Sequence, residues 1–355
     1  MNIHQLLKHS YIRLLLILLL VTAVSLSISF LIVKAYGLSF QDALSAFAEG
    51  AWGSPYVIGA SINRAIYFAL IGLGFILADR AKLANIGEEG QIAVGGIAAT
   101  ALCLYGGASG LPAGLAFLYP LLGAMLAGAF WGGIAGFLKA KMGTNEVIST
   151  LLLSFIAVWL LYCCVQSENL LKQPMTTSAS LPESLPIPDA TTIPLLFATS
   201  GYNLNLGLII TLLLAIAVYL ILNYSRFGFN LKSVGFNAHA SKRAGISVFS
   251  TIILALAISG AFAGLAGGLM LQGDQQVLKT GFSSGYGFDG LVVGLLARGS
   301  VLGVFAAALV FGFLRSGGIN LEMVAQLPSA LVLVIQGIII LVIAGASTWL
   351  GRRGE

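Results

Sequence analysis

Charge is what this sequence lacks most: 9% of its 355 residues are Asp, Glu, Lys or Arg, against 58% hydrophobic. A soluble domain needs far more charge to cover its surface, so a chain of mean hydropathy +0.97 can hide itself only in lipid. Cysteine is scarce too. Cys103, Cys163 and Cys164 all lie in or beside apolar runs, with neither a metal-site spacing nor a disulfide framework, and read as small core residues. No G-x-x-x-x-G-K-[ST] occurs, which excludes a phosphate-binding P-loop and nucleotide hydrolysis by this chain alone. No catalytic Ser or Cys constellation is present. The three histidines, His4, His9 and His239, fall outside the apolar spans and exclude an intramembrane histidine proton relay. The net charge of +5 does not point to nucleic acid, because the basic residues sit at the ends of apolar runs.

Glycine is plentiful. Its 44 residues are spread through stretches rich in Leu, Ile, Val and Ala, as suits closely packed membrane helices whose backbones touch. The expected fold is all-α, a polytopic membrane helical bundle. About ten spans read directly: 14–33, 57–78, 91–106, 112–138, 146–166, 204–224, 249–271, 287–297, 301–316 and 329–348. The third, eighth and ninth are short. Lys8 and Arg13 ahead of Leu14 to Val33 imitate a signal peptide, but the apolar run is long enough to span and no small-x-small site clearly ends it, so an uncleaved first helix is expected.

With the N-terminus in the cytoplasm, alternation puts Lys8, Arg13, Arg80, Lys82, Lys139, Lys141, Arg226, Lys232, Lys242, Arg243, Arg298, Arg352 and Arg353 inside. Only Lys34, Lys172, Lys279 and Arg315 fall outside, and Arg64 lies within a span. That bias satisfies the positive-inside rule and makes both termini cytoplasmic. The chain then reads as one transmembrane domain, 1–355, with two long connections. The periplasmic loop 167–203 carries Pro174, Pro182, Pro186, Pro188 and Pro194, which exclude a long helix. In the cytoplasmic loop 225–248, Asn237 is a candidate N-cap, and Lys242 and Arg243 suit the end of a short helix closed by Gly245. Such a helix is something a partner could grip, or else a solvated loop.

Polar groups at membrane depth are costly, about 2.5–3.5 kcal/mol for an Asp at a helix centre on the insertion scale, and usually face a cavity. Glu88 and Glu89 stand in NIGEEGQ, with Asn85 and Gln91; Asn145 and Glu146 in GTNEVIST; Asp289 in GYGFDG, with Tyr286 and Phe288. These are the candidate solute-pathway residues, since glycine-flanked short apolar segments mark broken helices around transport routes. Glu146 reads equally as a helix-start acid. Glu89-Gly90 through Gly95 lines up with Asp289-Gly290 through Gly294 as acidic-Gly-x-apolar-x-Val-Gly, a weak internal repeat. Arg64 is a candidate intramembrane ion-pair partner for Glu89 or Asp289.

Four stretches carry a resemblance: NIGEEGQIAVGG (85–96), GTNEVISTLLLSFIA (143–157), LKSVGFNAHASKRAGI (231–246) and GYGFDGLVVGLLARGSVLGV (285–304). Together they resemble ABC-transporter permeases of the branched-chain amino acid, ribose and nucleoside uptake superfamily, over roughly residues 55–350. The NIG-x-EGQ and GYGFDG forms look most like the nucleoside or simple-sugar branch. The resemblance implies a fold similar to the vitamin B12-type importer permeases and a coupling helix at 233–245 that docks on a cytoplasmic ATPase. On that account Gly235, Asn237, Ala238, His239, Ala240, Lys242, Arg243 and Gly245 form the ATPase contact. Where the nucleoside-like branch tends to have Pro-Glu-Ala-Ala, this chain has Ala238-His239-Ala240-Ser241, which puts an acidic contact in doubt. It further implies an inner-membrane location, a second permease subunit (a related chain favoured over a second copy), and a periplasmic or lipoprotein solute-binding protein. No cofactor or metal is expected on this chain, ATP and Mg being used by the ATPase. For a nucleoside, Tyr286 or Phe288 would stack on the base while Asn85, Glu89 or Asp289 takes ribose hydroxyls. Two rivals stand beside this reading: an ion-gradient transporter, which gives no reason for the 231–246 motif, and a membrane enzyme or scaffold, which lacks catalytic residues.

Overall fold

The computed structural model describes residues 34, 39–174, 182–197, 200–325, 334 and 337. The expected first span at 14–33 lies outside the described residues, as does the last at 329–348 apart from 334 and 337. So do His4, Lys8, His9, Arg13, Arg352 and Arg353.

Among the described residues the chain is all-α, with eleven helices and only isolated β-bridges. They are α1 (Phe40–Trp52), α2 (Pro55–Arg80), α3 (Glu88–Leu104), α4 (Ala113–Met142), α5 (Glu146–Gln166) and α6 (Gly207–Tyr224). Then come α7 (Arg226–Phe236), α8 (Ala238–Arg243), α9 (Val248–Met270), α10 (Tyr286–Leu296) and α11 (Val301–Ala325). A π turn, Leu271–Gln275, extends α9. Six of the described helices are long and apolar enough to cross a membrane: α2, α4, α5, α6, α9 with its π turn, and α11. The short segments expected from 91 and 287 are α3, of 17 residues, and α10, of 11.

By its contacts the chain divides into two compact units. One takes Met1–Ser61, Gly201–Asn203 and Gly312–Glu355. There α1 meets the second half of α11: the Asn320 Nδ2 donates to the Ala46 carbonyl at 2.6 Å, and Trp52 stacks on Phe313 with ring centres 5.6 Å apart. The other takes Ile62–Ser200 and Leu204–Phe311 and holds every site described below.

In this larger unit, the opposed faces of α4 show how glycine content becomes packing. Leu118, Leu122, Leu126 and Phe130 recur every four residues and are exposed, a stripe suited to lipid. On the other side Gly128, Gly132 and Gly136 lie against the α9 backbone; a Cβ added at Gly136 would stand 2.8 Å from the Ile253 Cα. Any larger residue would force the helices apart, and lipid offers apolar side chains no gain to offset that. Helix α2 is the central one, with Tyr67, Phe68, Leu70, Ile71, Leu73, Ile76 and Leu77 fully buried.

The proline-rich connection after α5 contains a single 3₁₀ turn, Asp189–Thr191, among its described residues. It is tied to the π turn and the segment after it by Ser184 N–H to Leu278 O (2.8 Å), Ile187 N–H to Gln276 O (2.9 Å) and Ile193 N–H to Gln272 O (3.1 Å). Proline removes donors, so the loop satisfies its backbone by borrowing partners rather than by forming a helix. Two helices were not anticipated: α1, and α7 within the loop expected to hold one short helix.

Candidate functional site

The NIGEEGQ stretch folds as a turn that launches α3. Asn85, fully buried, organises it: its Nδ2 donates to Gln91 Oε1 (2.8 Å) and Ser259 Oγ (2.9 Å), and its Oδ1 accepts from Gly87 N–H (3.0 Å) and Gln91 Nε2 (3.2 Å). Helix α5 completes the start of α3, as Thr150 Oγ1 accepts from Ile86 N–H (3.2 Å) and Ser154 Oγ from Gly90 N–H (2.9 Å). Buried donors and acceptors are thereby matched within the protein, so Asn85 and Gln91 already have partners.

The two segments of the internal repeat meet. Glu89 directs one carboxylate oxygen at Gly285 N–H (2.9 Å) and the other at Gly287 N–H (2.8 Å), at the start of α10. A carboxylate on the free N–H groups of a helix start satisfies orphan donors and complements the helix dipole. Gly287 permits the approach, because a Cβ there would collide with the Glu89 backbone. Glu89 therefore has these N–H groups as its partners, and not Arg64. Glu88 differs: it is 1% exposed, and neither of its carboxylate oxygens has a hydrogen-bond partner.

Tyr286, the first residue of α10, is buried and stacks on Phe68 (ring centres 4.9 Å apart, planes at 20°), and it makes a T-shaped pair with Tyr67 at 6.1 Å. Phe288 is exposed, and Asp289 is half-buried on the same short helix. Arg64 lies on α2, one turn before Tyr67 and within electrostatic reach of its hydroxyl. Asn145 and Glu146 stand apart, at the start of α5. The Asn145 Oδ1 caps the helix by accepting from Val147 N–H at 2.9 Å, and Glu146 pairs with Lys139 at 2.8 Å.

The coupling candidates form two consecutive helices. Ser225 caps α7 by accepting from Gly228 N–H (3.0 Å), and Asn237 caps α8 by accepting from Ala240 N–H (3.0 Å). Gly245, at φ +84°, ends the turn after α8, where Ile246 N–H returns to the Ser241 carbonyl at 3.0 Å. Gly235 lets α7 press on the end of α2; a Cβ there would stand 2.6 Å from the Arg80 carbonyl. Beside this contact opens a cleft of about 240 Å³ lined by Asp79, Arg80, Lys82, Lys232, Gly235, Phe236 and Arg298 among others. Four cations that the charge rule puts on one membrane face are thus gathered around one cleft. Among the described residues no cluster of three or more His, Cys, Asp or Glu could hold a metal.

Residues 57–344 match the family described as the permease component of the branched-chain amino acid transport system. The chain belongs to this family. It is 36% identical over 94% of its length and 93% of the relative's to the guanosine ABC transporter permease protein NupP of Bacillus subtilis. It is 34% identical to the glucose ABC transporter permease protein TsgB13 of Haloferax volcanii, over 87% of this chain and 79% of the other. To the nucleoside ABC transporter permease protein NupB of Lactococcus lactis it is 32% identical, over 79% of each. In each of these organisms a second permease of similar name is more distant, at 27%, 24% and 23% identity. No solved structure matches this chain. As an ABC permease it is the multi-pass membrane subunit of an importer, and ATP hydrolysis belongs to a separate subunit.

The sequence reading missed Tyr67, Asn205 and the π turn. The signal was present but faint: a Tyr among apolar residues in span 57–78, and an Asn opening the run at 204.

Proposed function

We propose that this permease carries nucleosides through the bacterial inner membrane, driven by an ATPase that binds the α7–α8 end of the molecule. The observation that carries the solute assignment is the similarity to the guanosine permease along nearly the whole of both chains. The buried Tyr286–Phe68 stack supports it, since an aromatic face is what a purine or pyrimidine base would meet on the way through. The similarity to a glucose permease favours sugars as the second reading.

In this reading the chain is a single transmembrane domain of about ten segments, α3 and α10 among them, with the B12-type importer arrangement. The proline-rich loop faces the periplasm, the basic cleft and both termini face the cytoplasm, and the chain itself holds no cofactor. Its membrane partner is a related, non-identical permease. The recurrence in three organisms of one nearer and one more distant relative supports a pair of different chains. A periplasmic or lipoprotein binding protein delivers the solute. Glu88, Glu89, Asp289, Tyr286 and Phe288 border the route, Glu89 by holding α10 in place.

The deciding measurement is uptake of labelled guanosine and glucose by proteoliposomes containing the complete complex, with and without internal ATP. ATP-dependent guanosine uptake that glucose does not compete supports the proposal. Glucose uptake alone would replace the solute, and gradient-driven uptake without ATP would refute the coupling.

A further inference from the structure

Around the middle of α2 lies a polar group separate from Glu88, Glu89 and Asp289. The Tyr67 hydroxyl is buried, 1% exposed for the residue, and has no hydrogen-bond partner. Beside it stands the amide of Asn205, also 1% exposed, whose Nδ2 faces the Tyr67 hydroxyl but closes no hydrogen bond of full geometry with it or with any other group. The Asn205 Oδ1, by contrast, is occupied by Gly207 N–H at 2.9 Å, so the amide orientation is fixed with its donor side left over. Buried polar groups are nearly always paired, and two unpaired ones side by side call for a missing partner.

The surroundings point to a solute as that partner. Tyr67 is twelve residues into a 26-residue helix, or about 18 Å along one of about 39 Å, which is the depth at which transporters hold their cargo. The rings of Tyr67 and Tyr286 meet in a T-shape, and Tyr286 stacks on Phe68, so the pair of polar atoms adjoins an aromatic wall. The π turn packs its Gly273 against the Asn205 amide, where a Cβ would come 2.5 Å from Nδ2, and its Gln275 Oε1 is a further buried acceptor with no partner. Single π turns recur at functional sites because the extra residue opens the helix backbone.

We infer that Tyr67 and Asn205 form a subsite that recognises one hydroxyl of a neutral, polyhydroxylated solute as it passes the aromatic wall of Tyr286. The amide Nδ2 donates to the solute oxygen, and the solute hydroxyl and the Tyr67 hydroxyl complete the exchange as donor and acceptor. The inference rests on the reading of this chain as a solute-translocating permease. It adds a specificity element that neither the family membership nor the sequence motifs assign.

The test uses the complete complex in proteoliposomes with saturating binding protein. It compares uptake of guanosine with that of 2′-deoxyguanosine and 3′-deoxyguanosine, for the parent chain and Tyr67→Phe. The binding protein's own preference is the same in both, so any change in the ratio belongs to the permease. The parent should favour guanosine over one of the deoxynucleosides by an amount that falls about 2- to 10-fold in Tyr67→Phe. Thermal stability should be unchanged or higher, because an unpaired buried hydroxyl has been removed. Asn205→Asp, which keeps the bond to Gly207 and replaces the donor, should have the same effect on the ratio. A ratio identical in parent and Tyr67→Phe overturns the subsite, as does a loss of stability with equal slowing of all three solutes. If the parent complex refuses guanosine but takes glucose, the nucleoside assignment falls. The subsite is then judged on glucose against its 2-deoxy and 3-deoxy forms, where a collapsing ratio supports it and a persistent one refutes it. Refusal of every hydroxyl-bearing solute overturns both.

Discussion

The carboxylate of Glu89 reaches Gly287 N–H at 2.8 Å while its other oxygen takes Gly285 N–H, so one side chain ties the first turn of α3 to the first turn of α10. Both helices are short, and their first turns carry the buried residues Glu88, Glu89, Tyr286 and Gly287. Charged hydrogen bonds to buried donors contribute about 1.5–3 kcal/mol, and removing one partner leaves the other stranded. Glu89→Gln keeps the shape and one acceptor but loses the second acceptor and the charge. Its expected consequence is a drop in stability of roughly 1–3 kcal/mol and a loss of uptake. Neutralising Arg64 as well should give no rescue, because the partners of Glu89 are backbone groups. Thermal denaturation of the single and double variants in detergent checks this, and restoration by the second change would refute it.

Gly287 makes the same junction from the other side. Gly287→Ala introduces a Cβ that collides with the Glu89 backbone, and a backbone cannot rotate out of the way as a flexible side chain can. Overpacking of this kind costs about 1–3 kcal/mol or more. Gly114→Ala is the control: nothing lies within 4 Å of its added Cβ, and alanine is the better helix former in this first turn of α4. The first variant should lower the melting temperature and the second should hold or raise it. Equal behaviour would mean that α3 and α10 are not in this contact.

Orientation can be read with cysteines in a background lacking Cys103, Cys163 and Cys164. Positions 185 and 239 are both exposed in the structure, so neither is shielded by the fold. An impermeant maleimide should label 185 in intact cells and 239 only after permeabilisation. The reverse pattern would invert the assignment of the proline-rich loop and of α7–α8.

Coupling to the ATPase should depend on charge and on one backbone angle. Gly245 adopts φ +84° with open space around it, so Gly245→Val is resisted by conformation and not by a clash. Lys232→Glu and Arg298→Glu reverse charge in the cleft that α7 shares with the end of α2. All three are expected to reduce co-purification of the ATPase while the permease still inserts. Undiminished co-purification and uptake would show that this end of the molecule is only a loop.

The membrane spans were legible because lipid imposes a requirement that composition alone can meet: runs at 57–78, 146–166 and 249–271 correspond to helices starting within two residues of those positions. The N-cap at Asn237 and the turn at Gly245 were equally readable, since capping is a local matter of one side chain and its own backbone. Helix α7 was not, because its residues are neither apolar enough for a span nor strongly patterned, and it is held by the contact of Gly235 with the end of α2. At the site the acids were found, but their partners were not. That Glu89 bonds to Gly285 and Gly287, nearly two hundred residues away, depends on the crossing of two helix starts, which no spacing encodes. Tyr67 and Asn205 escaped for the same reason. Each is unremarked in its own run, and only their meeting leaves unpaired groups.

The sharpest contrast lies between adjacent residues. Glu88 is as buried as Glu89, yet neither of its oxygens has a partner, whereas both of those on Glu89 do. Replacing a buried unpaired polar group by an apolar one of similar length removes a desolvation cost of about 1–3 kcal/mol. Glu88→Met should therefore leave the melting temperature unchanged or raise it, in the opposite direction to Glu89→Gln. An acid kept at such a cost has a use in some other state of the transport cycle, when α3 or α10 shifts and supplies a donor, or when solute does. Uptake should then fall in Glu88→Met despite the intact fold, and Glu88→Gln, which can still donate and accept, should retain part of it. A destabilised Glu88→Met would mean that the carboxylate is paired in the folded protein. A stable variant with full uptake would remove Glu88 from the pathway.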